Sequence, residues 1–101
     1  MDRLRETLIA ILEGYTGKAF NGYSYLTSSA DQRHFIVTSV GIVQGKRIVN
    51  TGLVVQLSDD TIIIDRDINN KPLVDALVQA GIPRAHIILA YANEPVPETT
   101  I

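Results

Sequence analysis

Cysteine and tryptophan are both absent from the 101 residues. No disulfide framework can form, and no thiolate is available to hold zinc or attack a substrate. The lack of cysteine fits a reducing compartment. Aromatic residues amount to only 6% and methionine occurs once, so the core must be built from aliphatic side chains. No apolar run approaches the roughly 20 residues that span a bilayer as a helix. Asp2, Arg3, Arg5 and Glu6 stand before the first apolar stretch, unlike a secretion signal. These features set the expectation of a cytoplasmic protein with no membrane role. An excess of basic charge is lacking too, since nine Lys and Arg face eleven Asp and Glu for a net charge of −2. Nucleic-acid binding through phosphates needs clustered cations. The acidic balance therefore disfavours direct nucleic-acid binding, while leaving room for a local basic patch.

What is present is a chain able to fold. Hydrophobic residues make up 46% and charged residues 20%, ordinary values for one soluble domain of this length. Residues 71–91 are the most readable stretch. Pro72 suits the first helical position, where no N–H is needed. Leu73, Val74, Leu77 and Val78 repeat at one-turn spacing. Gly81 can take the left-handed conformation that closes a helix, and Pro83 prevents its resumption. Ile87, Ile88 and Leu89 then read as a short buried strand.

Taken in order, residues 1–14 read as an amphipathic helix with Leu4, Leu8, Ile11, Leu12 and Tyr15 on one face. Asp2 is its expected N-cap, and Gly14 and Gly17 end it. Tyr23, Tyr25 and Leu26 support a short edge strand. Residues 33–43, 47–57 and 61–65 read as three strands joined by turns at Gln44-Gly45-Lys46 and Ser58-Asp59-Asp60, which implies antiparallel neighbours. The expected fold is α+β: an antiparallel β-meander sheet with an N-terminal helix over about residues 2–14 and a second helix before the last strand. One domain covers residues 1–101, ending in an extended tail over about 92–101, where Pro95 and Pro97 fall. Alternation sends Leu53, Val55 and Leu57 to one face and Val54 to the other. Both faces of the central strands look apolar, and two helices can cover only one. A second copy of the chain is the economical cover for the other, so a homodimer is expected.

Candidate chemistry is sparse. Asp59, Asp60, Asp65 and Asp67 cluster at turns, where acidic residues are usually just solvated, and the EF-hand pattern is absent. His34 and His86 are too few for a zinc site without cysteine. Ser39 and Ser58 lack a nucleophile-elbow context. Gly14, Gly17 and Gly22 fail the spacing of a phosphate loop, and they follow a helix instead of a strand. No catalytic residue, cofactor or metal ligand is expected. Arg33, Lys46, Arg47 and Arg66 lie on or near the sheet with four tyrosines available as stacking platforms. Arg47, Arg66, Asp67 and Tyr91 form the candidate interaction surface.

From residue 31 to residue 95 the chain resembles the XisI family, the fdxN-element excision controlling factors of cyanobacteria. Leu77-Val78-Gln79-Ala80-Gly81-Ile82-Pro83 followed by Ile87-Ile88-Leu89 is similar to the family's L-V-x-x-G-I-P-x-x-x-I-x-L. Val40-Gly41, Lys46-Arg47, the hairpin of Val55, Leu57, Asp59, Ile62, Ile64 and Asp67, and aromatic Tyr91 follow in matching order. Leu4, Leu8, Leu12 and Tyr15 are similar to its opening helix. The chain departs from the family where Ile42 and Ile63 replace tryptophans, Val54 and Ala92 replace histidines, and Ile68-Asn69 replaces Gly-Thr. Any site that the family builds on those side chains is lost here. The resemblance implies an α+β domain acting as a non-enzymatic accessory factor in programmed DNA excision, in which a separate recombinase cuts and rejoins the DNA. It implies a XisH-like protein partner, and it transfers no catalytic or ligand residue. The other reading open to the sequence is a binding module whose sheet accepts nucleic acid or a small ligand.

Overall fold

A computed structural model describes residues 2–97. Helix α1 (Asp2–Glu13) leads into strands β1 (Gly17–Ala19), β2 (Gly22–Ser28), β3 (His34–Val43), β4 (Lys46–Ser58) and β5 (Thr61–Asp67), then helix α2 (Leu73–Gln79) and strand β6 (Ile87–Leu89). Short 3-10 turns at Arg84–His86 and Ala90–Ala92 flank β6. The Asp2 side chain, expected as the cap of α1, and residues 98–101 of the expected tail lie outside the described residues.

The six strands form one sheet in the order β1-β2-β3-β4-β5-β6. The α+β class holds, and the meander holds from β1 to β5, whose pairings are all antiparallel. It fails at the end: β6 runs parallel to β5, with Ile62, Ile63 and Ile64 opposite Ile87, Ile88 and Leu89. The cause is α2. A chain that leaves one strand, crosses as a helix and returns beside it arrives in the same direction. A second correction concerns the stretch around Tyr23. That strand is β2, and the three-residue β1 lies outside it at Gly22, Tyr23 and Ser24, while Tyr25 to Ser28 pair only with β3, so the edge expectation holds for that half alone. At Gly22, β2 and β3 lie so close that an added Cβ would collide with the Val40 carbonyl oxygen, a position only glycine can fill.

The helices cover one face. Leu8 and Leu12 of α1 and Leu73 and Leu77 of α2 are wholly buried against Phe35, Leu53, Val55, Ile62 and Ile64. Val78, expected on the same stripe, is exposed, because α2 turns only its Leu73 and Leu77 side fully inward. The helix ends as its glycine foretold. Gly81 has φ +100°, its N–H donates to the Val78 carbonyl, and the Ile82 N–H donates back to Leu77. This is a Schellman closure, and it delivers Ile82 into the core.

Two bulges set which side chains meet. Val37 pairs with Leu53 but Thr38 with Thr51, so Gly52 is an extra residue in β4. Val54 pairs with Arg66 but Val55 with Ile64, so Asp65 is extra in β5. Each inserted residue reverses the alternation beyond it. As a result, Arg47, Val49 and Thr51 share a face with Val54, and Asp67 turns under the helices while Arg66 turns away. The β3–β4 hairpin runs on past the helices, drawing the molecule out to 43 Å along its long axis. Its turn has φ 53° at Gln44 and 79° at Gly45, the two positive values of a type I′ turn.

Candidate interaction face

Register and alternation place Tyr23 and Tyr25 of β2, Ile36, Val40 and Ile42 of β3, Val49 and Val54 of β4, Ile63 of β5 and Ile88 of β6 on the face that no helix covers. The expectation of two apolar faces is met in composition. Val40 and Ile63 are nonetheless buried within the single chain. The exposed apolar part is the end near the long hairpin, where Tyr23, Tyr25, Ile42 and Val49 each keep two-fifths or more of their surface open. Tyr23 and Tyr25, two residues apart, hold their rings 6.0 Å apart and tilted by 31°. Three positions at which this chain departs from the resembled family, Ile42, Val54 and Ile63, fall on this one face.

The four residues of the candidate interaction surface separate. Arg47, paired with Ile42, and Arg66, paired with Val54, lie on the helix-free face. They are roughly 23 Å apart along β4 at about 3.3 Å per residue. The Arg66 Nε donates to the Thr51 carbonyl at 2.7 Å. Asp67 lies on the other face and has a structural task. Its Oδ2 accepts the Leu73 N–H at 2.7 Å, and its Oδ1 accepts the Asn69 N–H at 3.0 Å and the Asn69 side-chain amide at 2.9 Å. Pro72, expected as the first helical residue, is the N-cap of α2 and provides no side-chain bond. Asp67 satisfies the first N–H of the helix from the end of β5. Tyr91 is exposed beside the last strand. Burial pushes its hydroxyl above the ordinary 10.0, with the Asp67 charge adding to the shift. Burial likewise raises Tyr15, reinforced by Asp67 and Asp75, and the Tyr15 hydroxyl donates to the Lys71 carbonyl at 2.8 Å. Asp67 and Tyr91 are thus within electrostatic reach of each other, while Arg66, next to Asp67 in the chain, turns its side chain to the opposite face.

Beyond the helix ends, on the helix side, an open cleft of about 460 Å³ lies between Tyr15, Ser24, Ser39 and Asn50. The Ser24 and Ser39 hydroxyls bond to each other at 2.7 Å. Among the described residues no three His, Asp or Glu side chains gather as metal ligands.

A polar clamp missed in the sequence ties down the segment after β6. Glu94 accepts the Leu89 N–H at 2.8 Å and the Arg84 Nη2 at 2.6 Å, while the Arg84 Nη1 donates to the Ile87 carbonyl at 2.7 Å. The Leu89 N–H, then Arg84, hold the Glu94 carboxyl below the ordinary 4.5. A carboxylate favoured by the fold contributes its stabilisation above the unfolded value, and that contribution is lost as pH falls through the lower folded value. Side-chain carboxyl NMR should give a Glu94 midpoint below 4.5, with faster exchange of the Leu89 amide once the group is protonated. A midpoint at or above that value would mean that the clamp does not hold in solution.

The geometry defines a class: a small α+β domain that packs its helices on one sheet face and leaves the other face, with the long hairpin, free for contact. The family described as XisI protein matches residues 1–100, and the chain belongs to it. Among solved structures, a XisI-like protein from Anabaena variabilis superimposes with a TM-score of 0.65 at 18% identity, over 87% of this chain and 80% of that one. The fdxN element excision controlling factor XisI of the same organism gives a TM-score of 0.63 at 24% identity, over 92% and 90%. Among curated proteins no match was found.

Proposed function

We propose that this protein is a non-enzymatic controlling factor for programmed excision of a DNA element, acting through protein–protein contacts. The reading rests on membership of the XisI family, one solved member of which is named an fdxN element excision controlling factor. The observation that carries the contact mode is the exposed apolar end of the helix-free face, where Tyr23, Tyr25, Ile42 and Val49 stand open together. Aromatic and aliphatic side chains concentrated on one patch suit a protein partner. The net charge of −2 suits a phosphate backbone poorly. The reading includes self-association of the chain through this face and binding of a XisH-like protein. Light scattering on a sizing column, with the protein alone and mixed with the XisH-like protein encoded nearest to it, tests both parts. The expected results are a dimer alone and a new heteromeric peak in the mixture. A monomer at high micromolar concentration that stays separate from the partner overturns the contact reading.

A further inference from the structure

Strand β4 has thirteen residues, but β5 pairs with it only from Leu53 to Ser58. The stretch from Lys46 to Thr51 is bonded to β3 on one side and, among the described residues, to no strand on the other. Which backbone groups face the open side follows from the ladder. The type I′ turn makes Val43 and Lys46 a hydrogen-bonded pair. The Ile42 N–H donates away from β4, to the Asn21 carbonyl at 2.9 Å. Ile42 and Arg47 are therefore a non-bonded pair, and by alternation so are Val40 and Val49. Arg47 and Val49 consequently turn both N–H and C=O outward. The next outward carbonyl, Thr51, is already occupied by the Arg66 Nε, which closes the free edge at its inner end. Beyond it, the Gly52 carbonyl is occupied by the Ile68 N–H and the Asn69 side chain.

The side chains along this edge carry one sign of charge. Lys46 and Arg47 lie on it and Arg66 lies at its end, and no acidic residue stands between Lys46 and Thr51. A second copy pairing here would add its own Lys46 and Arg47 to the same strip, and charged edges of this kind disfavour self-pairing. Nucleic acid would answer the cations, but its phosphates only accept hydrogen bonds, which leaves the Arg47 and Val49 carbonyls unanswered. An extended peptide offers donors and acceptors in alternation, at the spacing the edge presents.

We propose that the open edge of β4 from Lys46 to Thr51 receives an acidic extended segment of a partner protein as an added strand. The segment continues the lane that β5 vacates, bonds to the main chain of Arg47 and Val49, and sets carboxylates against Arg47 and Arg66, which share the helix-free face. This inference rests on the protein-contact reading above and names the element that would make the contact.

The probe is a capped seven-residue peptide alternating valine and glutamate, with a valine–lysine peptide as control, titrated into the labelled protein at low salt. The Arg47 and Val49 amides should shift and exchange at least tenfold more slowly, while Lys46, Ile48 and Asn50, already bonded to β3, change little. The glutamate peptide should bind at least tenfold more tightly than the lysine peptide. Val49→Pro removes an outward N–H and no bond to β3, and its side chain is exposed, so it should keep the thermal midpoint of the parent and lose peptide binding. Arg47→Glu should abolish the preference between the two peptides, which covers the case in which the proline variant fails to fold. Absence of shifts at Arg47 and Val49, equal binding of both peptides, displacement of the peptide by duplex DNA from those amides, or slowed exchange of the Arg47 and Val49 amides in a dimer of the protein alone overturns the proposal. The XisH-like mixture separates its failure from that of the broader reading. A heteromer that survives Val49→Pro and Arg47→Glu overturns the edge and leaves the contact reading standing. Edge binding of the glutamate peptide without any heteromer supports the edge and counts against that partner.

Discussion

Phe35→Ala should cost about 3–5 kcal/mol of stability, the range for emptying a large buried site. The side chain is 1% exposed and is the largest of the fully buried ones. It stands on β3 opposite Val55 and Ser28, within the cluster formed with Leu8, Leu12, Leu53 and Leu77. Domains of this size keep roughly 5–15 kcal/mol in total, so the variant should unfold at far lower urea, with a midpoint temperature lower by about 20 °C. Phe35→Leu keeps more of the volume and should lose less than half as much. The other phenylalanine supplies the control. Phe20 lies in the turn between β1 and β2 with its side chain fully exposed, and Phe20→Ala should change stability by no more than about 0.5 kcal/mol. Urea melts followed by circular dichroism measure all three. Equal losses at Phe35 and Phe20 would show that the core is not the one described.

Asp67→Ala should cost about 2–3 kcal/mol. The carboxylate accepts three hydrogen bonds, from the Leu73 N–H and from both nitrogens of Asn69. Removing it uncaps α2 and strands a half-buried donor. Asn69 would also lose part of what aims its side chain at the Gly52 carbonyl, 3.2 Å away, so the damage should reach the bulge in β4. Asp67→Asn keeps one acceptor oxygen and should recover part of the loss. The amides of Leu73 and Asn69 should show the largest rise in hydrogen exchange. Full stability in Asp67→Ala, with binding of a partner abolished, would return Asp67 to the contact surface and overturn the capping role given to it here.

That reassignment marks where the sequence stops being readable. In the sequence Arg47, Arg66, Asp67 and Tyr91 read as one candidate interaction surface, with nothing to say which face of the sheet each occupies. Side-chain alternation counted along β5 from Ile62 and Ile64 sends Arg66 to the core side and Asp67 away. The structure does the reverse, because Asp65 bulges out of the ladder. The same holds in β4, where strict alternation would put Val49 with Leu53 and Val55, yet the extra Gly52 puts it with Val54. A bulge is chosen by how two strands and the segment packed over them fit together, and its local sequence signal is faint.

What the sequence by itself determined is the set of elements whose cause is local. The apolar spacing of α1, the Gly81 closure of α2, the three central strands and their turns each depend on residues within a few positions of one another. The tertiary structure alone decided the parallel placement of β6, the two bulges, the capping of α2 by a residue at the end of β5, and the open edge of β4. Each of these requires distant segments to compete for the same hydrogen bonds. The Gly52 carbonyl could have met another strand, and only the packed sheet brings both the Ile68 N–H and the Asn69 side chain to it instead.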